Sequence, residues 1–109
     1  MHPHDPRRIY RQQQFEGATA SDLVLAVYGH AIQGCQSGRR KVVIRALEEL
    51  IGGLDLERGD LALGLLRMYE YLLYRAREGE LQEVGNTLRE LRTAWEASVS
   101  SPSGPALHP

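Results

Sequence analysis

The central part of the chain repeats apolar residues at intervals of three and four, the spacing that places side chains on one face of an α-helix. Four such stretches are separated by turns that contain glycine, and they predict helices that start near Thr19, Arg39, Asp60 and Glu80. No stretch sustains the apolar–polar alternation of a β-strand, so the pattern indicates an all-α protein. The apolar stripes of the four helices are, in chain order, Leu25, Tyr28, Ile32 and Cys35; Val43, Leu47, Leu50 and Leu54; Ala62, Leu65, Tyr69, Leu72 and Ala76; and Leu81, Val84, Leu88, Leu91 and Trp95.

The first predicted helix has a clear N-terminal signal. Thr19 can accept a hydrogen bond from an amide of the first turn, and Asp22 lies at the positive end of the helix dipole. A second apolar stripe beside the first predicts that this helix is buried on most of its circumference. That second stripe consists of Leu23, Val27 and Ala31. Gly34 and Gly38 mark the end of the helix.

Short turns between amphipathic helices make successive helices antiparallel neighbours. The simplest arrangement is an up-down-up-down four-helix bundle over residues 19–99. The turns at 34–38 and at 79 then lie at one end of the bundle. The turn at 52–59 lies at the other end, together with both chain termini.

The two terminal segments have a different composition. Residues 1–18 and 100–109 contain all five prolines and little periodicity, so they are predicted to be a flexible N-terminal arm and a disordered C-terminal tail. Roughly 80 residues remain for the core, and a domain of that size buries only about 60–65% of its unfolded surface. A roomy catalytic pocket is therefore not expected, and no feature of the sequence favours an enzyme.

The net charge gives little support to one broad class of partner. The chain has 13 Lys and Arg against 14 Asp and Glu, a net charge of −1, which is not the basic balance of a nucleic-acid binder. The single cysteine, Cys35, cannot form an internal disulfide. Residues 1–8 lack the apolar run of a secretory signal, and the uncharged stretch 23–38 is shorter than a membrane span. These features predict a cytoplasmic protein without membrane insertion.

Candidate nucleophiles and metal ligands are few. His30 and Cys35 are five residues apart and point to different helix faces, and Cys35 falls on an apolar stripe, so a structural thiol is the favoured interpretation. His2 and His4 are a weak metal signal in a segment predicted to be flexible. No cofactor and no metal are therefore predicted.

Two groups of residues outside the apolar stripes are candidate partner-binding surfaces. The first is the only basic cluster in the sequence, which could contact an anionic partner such as nucleic acid or could simply be a solvated helix start. It comprises Arg39, Arg40, Lys41 and Arg45. Tyr71 and Tyr74 lie off the main stripe of their helix, where half-buried tyrosines could recognise a helical partner.

Two ordered segments of the chain resemble one known family. In the first, Tyr10 is followed by Ala-Thr-Ala at 18–20, an acid at 22, Leu-Val-Leu at 23–25 and Val-Tyr at 27–28. The second segment reads Met-Tyr-Glu-Tyr at 68–71, Leu-Gln-Glu-Val at 81–84 and Leu-Arg-Glu-Leu-Arg-Thr-Ala-Trp at 88–95. In this order, over about residues 9–97, they resemble the flagellar secretion chaperones, the FliS-type proteins that escort flagellin.

The chain departs from the family pattern at a few points. Ala20 stands where members often have proline, and Ala76-Arg77 is the nearest match to a late Ala-Asn pair. The chain is also shorter than typical members around 34–38 and around Gly79. Both turns belong to one end of the predicted bundle, so the shortening resembles the loss of about one heptad, or about 10 Å of helix rise.

The resemblance implies a non-enzymatic chaperone in the bacterial cytoplasm, present as a monomer or a weak homodimer. Its implied partners are the C-terminal segment of flagellin, kept from premature polymerisation, and the flagellar type III export apparatus. A divergent paralogue that serves another secreted or regulatory protein is the alternative. The family tyrosine linked to client and export contacts corresponds to Tyr10, with Ile9 beside it.

The outward edges of the apolar stripes add further candidate partner contacts. These are Leu47, Leu50, Leu54, Leu65 and Tyr69. Plain core is the other interpretation of all five, and it is the favoured one for Leu47 and Leu65.

Overall fold

The computed structural model describes residues 19–100 of the chain, with side chains through Ser98. The helices are α1 (Ala20–Gln36), α2 (Arg40–Gly52), α3 (Asp60–Arg77) and α4 (Leu81–Ser100), and a single 3₁₀ turn, Leu56–Arg58, precedes α3. The helices pack in a ring in which each contacts the helices before and after it, and α4 closes on α1. The described part of the chain is therefore the predicted all-α four-helix bundle.

The start of α1 is the predicted cap. The Thr19 hydroxyl accepts a hydrogen bond from the Asp22 amide, and the Asp22 carboxylate accepts one from the Thr19 amide, each at 3.1 Å. Two amides of the first turn that have no partner within the helix are satisfied in this way.

Gly38 and Gly79 form the turns at one end of the bundle, whereas Gly34, which was predicted to mark the end of α1, has a different role. Gly38 and Gly79 have positive φ angles of 70° and 84°, a conformation that side chains with a Cβ disfavour. Gly34 does not end α1. It is buried within the helix, and a Cβ added there would lie 3.0 Å from methyl groups of Val42 and Val43. Its lack of a side chain lets the last turns of α1 approach α2.

The core follows the predicted stripes. Within it, α1 and α3 contact each other through the rings of Tyr28 and Tyr69. The fully buried large side chains are Tyr28, Val43, Leu47, Tyr69, Leu72, Val84 and Leu88. Around them, the seam of α4 is half-buried at Leu81, Leu91 and Trp95. Burial of this apolar surface is the main source of stability in a bundle of this size.

The second half of α1 is buried as predicted, at Tyr28, Ala31, Ile32 and Gly34, but its first half is more exposed than the two stripes indicate. Leu23 is 39% exposed, and Leu25 and Val27 are only partly buried. Leu23 and Val27 of the second stripe face the space between the start of α1 and the turn that precedes α3, whereas Ala31 is fully buried in the core.

A polar cluster joins α3 to α4, the pair of neighbouring helices with the least extensive contact. The Tyr71 hydroxyl and the Arg75 Nε both donate to the Glu83 carboxylate at 2.7 Å. Arg75 also pairs with Glu78 at 2.9 Å. Tyr71 and Tyr74 are 48% and 56% exposed, so both tyrosines lie on the surface and Tyr71 is held there by Glu83.

This cluster makes stability depend on pH in a defined direction. The Arg75 guanidinium, and after it the Tyr71 hydroxyl, hold the pKa of Glu83 below its usual value. The stabilisation is therefore present above the ordinary Glu pKa of about 4.3 and is lost as the pH falls through the lower folded-state pKa. We expect Glu83→Gln to lower the melting temperature at pH 7 and to have a shrinking effect below about pH 4. Thermal unfolding followed by circular dichroism from pH 7 to pH 2 measures this difference.

Glu90→Gln is the matched control, since Glu90 is exposed on the same helix and makes no ion pair among the described residues. Its effect should be small at every pH. A constant difference between wild type and Glu83→Gln over the whole pH range would contradict the assignment.

Candidate functional site

An apolar groove of about 600 Å³ lies at the end of the bundle where α1 begins and α4 ends. We call it the end groove. The start of α1, the end of α2, the turn at 53–58, the start of α3 and one residue of α4 form its walls. Its apolar lining residues are Leu23, Val24, Val27, Leu50, Leu54, Leu61, Ala62, Leu65, Tyr69 and Trp95. A mostly apolar concave surface of this size is suited to binding apolar side chains.

The groove lies at the end of the bundle where the connection between two helices is longest. Seven residues of turn and 3₁₀ helix separate α2 from α3, whereas α1 and α2, and α3 and α4, are joined by three residues each. At the opposite end two glycines permit close approach of the helices. Besides Gly34 against α2, a Cβ added at Gly85 of α4 would lie 3.1 Å from the Cβ of Cys35 in α1.

Three aromatic residues connect the end groove to the core. The Tyr28 and Tyr69 hydroxyls are 2.6 Å apart, and their rings meet edge to face with centroids 6.4 Å apart. Trp95 packs edge to face on Tyr28 at 6.2 Å. Tyr69 and Trp95 both line the groove, so these aromatic rings form its floor.

Burial sets the protonation state of the two tyrosines. Desolvation raises the pKa of Tyr28, and the hydrogen bond to Tyr69 partly opposes that rise. Desolvation also raises the pKa of Tyr69, in this case reinforced by the hydrogen bond to Tyr28. Both hydroxyls therefore remain protonated at neutral pH, and the pair offers a hydrogen bond and no charge.

The rim of the groove has little net charge. Its ionisable residues are Glu49, Asp55 and Arg58, and Arg58 pairs with Asp55 at 3.4 Å on the surface. Asp55 also caps the 3₁₀ turn, accepting from the Glu57 amide at 3.1 Å. An occupant of the end groove is thus expected to be held by apolar contacts, with no strong electrostatic preference.

Most of the predicted contact residues in the bundle lie in this groove. Leu54 and Leu65 are half-buried in its walls, and Leu50 and Tyr69 lie in its floor with 6% and 1% of their surface exposed. Leu47 is fully buried and does not line the groove, so it belongs to the core. Ile9 and Tyr10 lie outside the described residues, as do the predicted arm and tail.

Two exposed leucines of the groove are not among the candidate contacts. Leu23 and Leu61 line the groove and are 39% and 69% exposed. Leu23 belongs to the second stripe of α1, for which the pattern predicts burial, and Leu61 lies off the stripe of α3. An apolar residue in the first turn of a helix is the signal that could have found both.

The remaining candidates lie apart from this groove. Cys35 is half-buried at the opposite end, and burial raises the pKa of its thiol, with Arg89 partly opposing the rise. His30 is exposed on another face of α1. Within residues 19–100 no three His, Cys, Asp or Glu side chains are grouped as a metal site would require.

The basic cluster is exposed, and one of its members has a structural role. The Arg40 Nη1 donates to the Arg77 carbonyl at 3.3 Å, at the C-terminal end of α3. A cation there satisfies a free helix carbonyl and the negative end of the dipole. Arg39, by contrast, stands at the start of α2 without a side-chain capping bond.

None of the helices in the described range has both the length and the apolar character that a bilayer crossing requires. Comparison of the chain with protein-family models, with curated proteins and with solved structures finds no match. The four-helix architecture and the end groove are the features of the described residues that bear on function.

Proposed function

We propose that this protein is a cytoplasmic export chaperone that binds the C-terminal segment of flagellin and delivers it to the flagellar type III export apparatus. The observation that carries the proposal is the end groove, an apolar concave surface with a nearly neutral rim on a helical bundle. The resemblance of residues 9–97 to the flagellar secretion chaperones supplies the identity of the client.

The physical requirements of such a chaperone agree with these features. A client segment that later forms helical contacts in a filament is apolar and prone to aggregate before export. An amphipathic helix binds by inserting side chains spaced i, i+3/i+4 and i+7 into an apolar groove, and no catalytic group is required. The exposed leucines at 23 and 61 and the half-buried ones at 54 and 65 offer such a surface.

Isothermal titration calorimetry with the C-terminal segment of the cognate flagellin tests the proposal. We expect saturable binding at micromolar concentrations and a negative heat-capacity change, because apolar surface is buried. A peptide of the same composition in scrambled order is the control. Absence of both heat and co-elution at tens of micromolar would overturn the assignment of flagellin as the client.

The shortening around 34–38 and Gly79 favours the alternative, a paralogue that serves another secreted or regulatory protein. Both sites lie at the end of the bundle opposite the groove, and Cys35 at that end contacts the region of Gly85. A client that depends on surface from the shortened end would therefore bind poorly. A second, full-length homologue encoded beside the flagellin gene would support this alternative.

A further inference from the structure

The face of α3 that points away from the core carries a second repeat, made of exposed residues. They are spaced three and four apart along the whole helix, which is the spacing of a coiled-coil seam. All of them are exposed, and the two apolar members, Leu63 and Tyr74, are 40% and 56% exposed. These residues, which we call the outer seam, are Asp60, Leu63, Arg67, Glu70, Tyr74 and Arg77. The helix thus presents one seam to the core and another to the outside.

The two charges at the middle of the outer seam have no ionic partner within residues 19–98. Arg67 and Glu70 are three residues apart, yet neither forms an ion pair with the other or with a neighbouring helix. Arg77, at the end of the seam, does pair with Glu48 of α2 at 3.7 Å. The centre of the outer seam can therefore contribute two charges to a partner without breaking an existing ion pair.

The outer seam is complementary to the same seam read in the opposite direction. When two copies of α3 lie antiparallel and are centred on the middle of the seam, each residue faces a different residue of the second copy. The pairs that result, each formed twice, are Leu63 with Tyr74, Arg67 with Glu70 and Asp60 with Arg77. Each apolar residue meets an apolar residue, and each charge meets the opposite charge.

Other alignments of two copies lose this match. In a parallel pair each residue faces its own counterpart, so Arg67 meets Arg67 and Glu70 meets Glu70. An antiparallel pair shifted by one heptad brings Asp60 against Glu70, or Arg67 against Arg77. Like charges that face each other are unfavourable, so the order of residues selects a single register. The partner that fits this face is a second copy of the same helix.

We propose that two copies of this protein associate through the outer seam, with their α3 helices antiparallel. The residues of α3 that line the end groove are Leu61, Ala62, Leu65 and Tyr69. None of these belongs to the outer seam, so both end grooves stay open in the dimer. The inference is therefore independent of the proposed chaperone function.

The size of the contact sets the strength of the dimer. A strip along one 18-residue helix is about 27 Å long and about 10 Å wide, or about 300 Å² on each copy. A stable interface buries roughly 1,200 Å² or more in total, so this dimer is weak. We expect a dissociation constant of about 0.1–1 mM.

Sedimentation equilibrium of the full chain, from about 20 µM to about 1 mM, tests the proposal. The average mass should rise with concentration from 12.2 kDa toward twice that value. Arg67→Glu and Glu70→Arg each place like charges opposite each other in both central pairs, so either variant alone should associate about tenfold more weakly. An equimolar mixture of the two variants restores opposite charges across the contact and should associate again. Leu63→Asp, which removes an apolar member of the seam, should also weaken association.

Arg45→Glu is the matched control, since Arg45 is exposed on α2 and the variant makes the same change of charge outside the outer seam. It should leave association unchanged. A wild type that stays monomeric at about 1 mM overturns the proposal, and so does a dimer that persists unchanged in the seam variants. A mixture of the two charge variants that stays monomeric, while circular dichroism shows both to be folded, rules out the antiparallel register. The flagellin titration is read separately, so failure of either proposal leaves the other standing.

Discussion

Leu47→Ala is expected to lower the free energy of unfolding by about 2–5 kcal/mol, the range for leucine truncation in a packed core. Leu47 is fully buried within the core cluster, so the truncation leaves a cavity that its neighbours fill only in part. A domain of about 80 residues has a total stability of roughly 4–12 kcal/mol. The variant should therefore melt many degrees below the wild type, and client binding should be lost only as the fold is lost.

Urea and thermal unfolding followed by circular dichroism measure this effect. Leu63→Ala is the matched control, since Leu63 is 40% exposed on α3 and does not line the end groove. Its change in stability should stay within about 0.5 kcal/mol. A loss of less than 1 kcal/mol in Leu47→Ala would contradict the assignment of Leu47 to the core.

Leu61→Asp should have the largest effect on client binding with no cost to the fold. Leu61 lines the end groove and is 69% exposed, so its replacement removes apolar contact area and places a charge among apolar walls. Losing one apolar contact of this size costs about 1.5–3 kcal/mol, which corresponds to roughly a 10- to 100-fold weaker complex. Position 61 is the second residue of α3, where a carboxylate is favoured by the helix dipole, so the melting temperature should not fall.

Leu63→Asp introduces the same charge two residues away, on a face of α3 outside the groove. Calorimetric titration of both variants with the flagellin segment separates a groove effect from a general effect of charge. Equal affinities for the two variants would place the client elsewhere on the protein. A melting temperature of Leu61→Asp well below the wild type would show that Leu61 also supports the fold.

The helix bounds could be predicted closely because their signals are local. The reciprocal bonds between Thr19 and Asp22 need only the first turn of α1, and the positive φ angles of Gly38 and Gly79 need only the turns themselves. Gly34 was misjudged for the opposite reason. Its role depends on close contact with Val42 and Val43 of the next helix, and this contact cannot be inferred from the residues that surround Gly34 in the sequence.

The groove could be predicted only in part. Apolar periodicity identifies which face of a helix is buried, but it does not say how deeply each residue on that face is buried. Leu47, Leu50 and Leu54 share one predicted stripe, yet Leu47 is core, Leu50 lies in the groove floor, and Leu54 lies in the groove wall, in the turn after α2. The depth of a position along the stripe depends on which other elements pack over it. The turn between α2 and α3 forms part of the groove wall, and its 3₁₀ conformation is not evident from the apolar periodicity.

The separation between the two ends of the bundle has a consequence for how the protein can change in length. The turns at 37–39 and 78–80 meet at the glycine-packed end, where Arg40 reaches the carbonyl of Arg77. Adding or removing whole heptads there in α1 and α2, and equally in α3 and α4, keeps every stripe in register. Such a change lengthens or shortens the bundle at the glycine-packed end only. The residues that line the end groove, at the opposite end, keep their positions. The length of the bundle and the shape of the end groove can therefore change independently of each other.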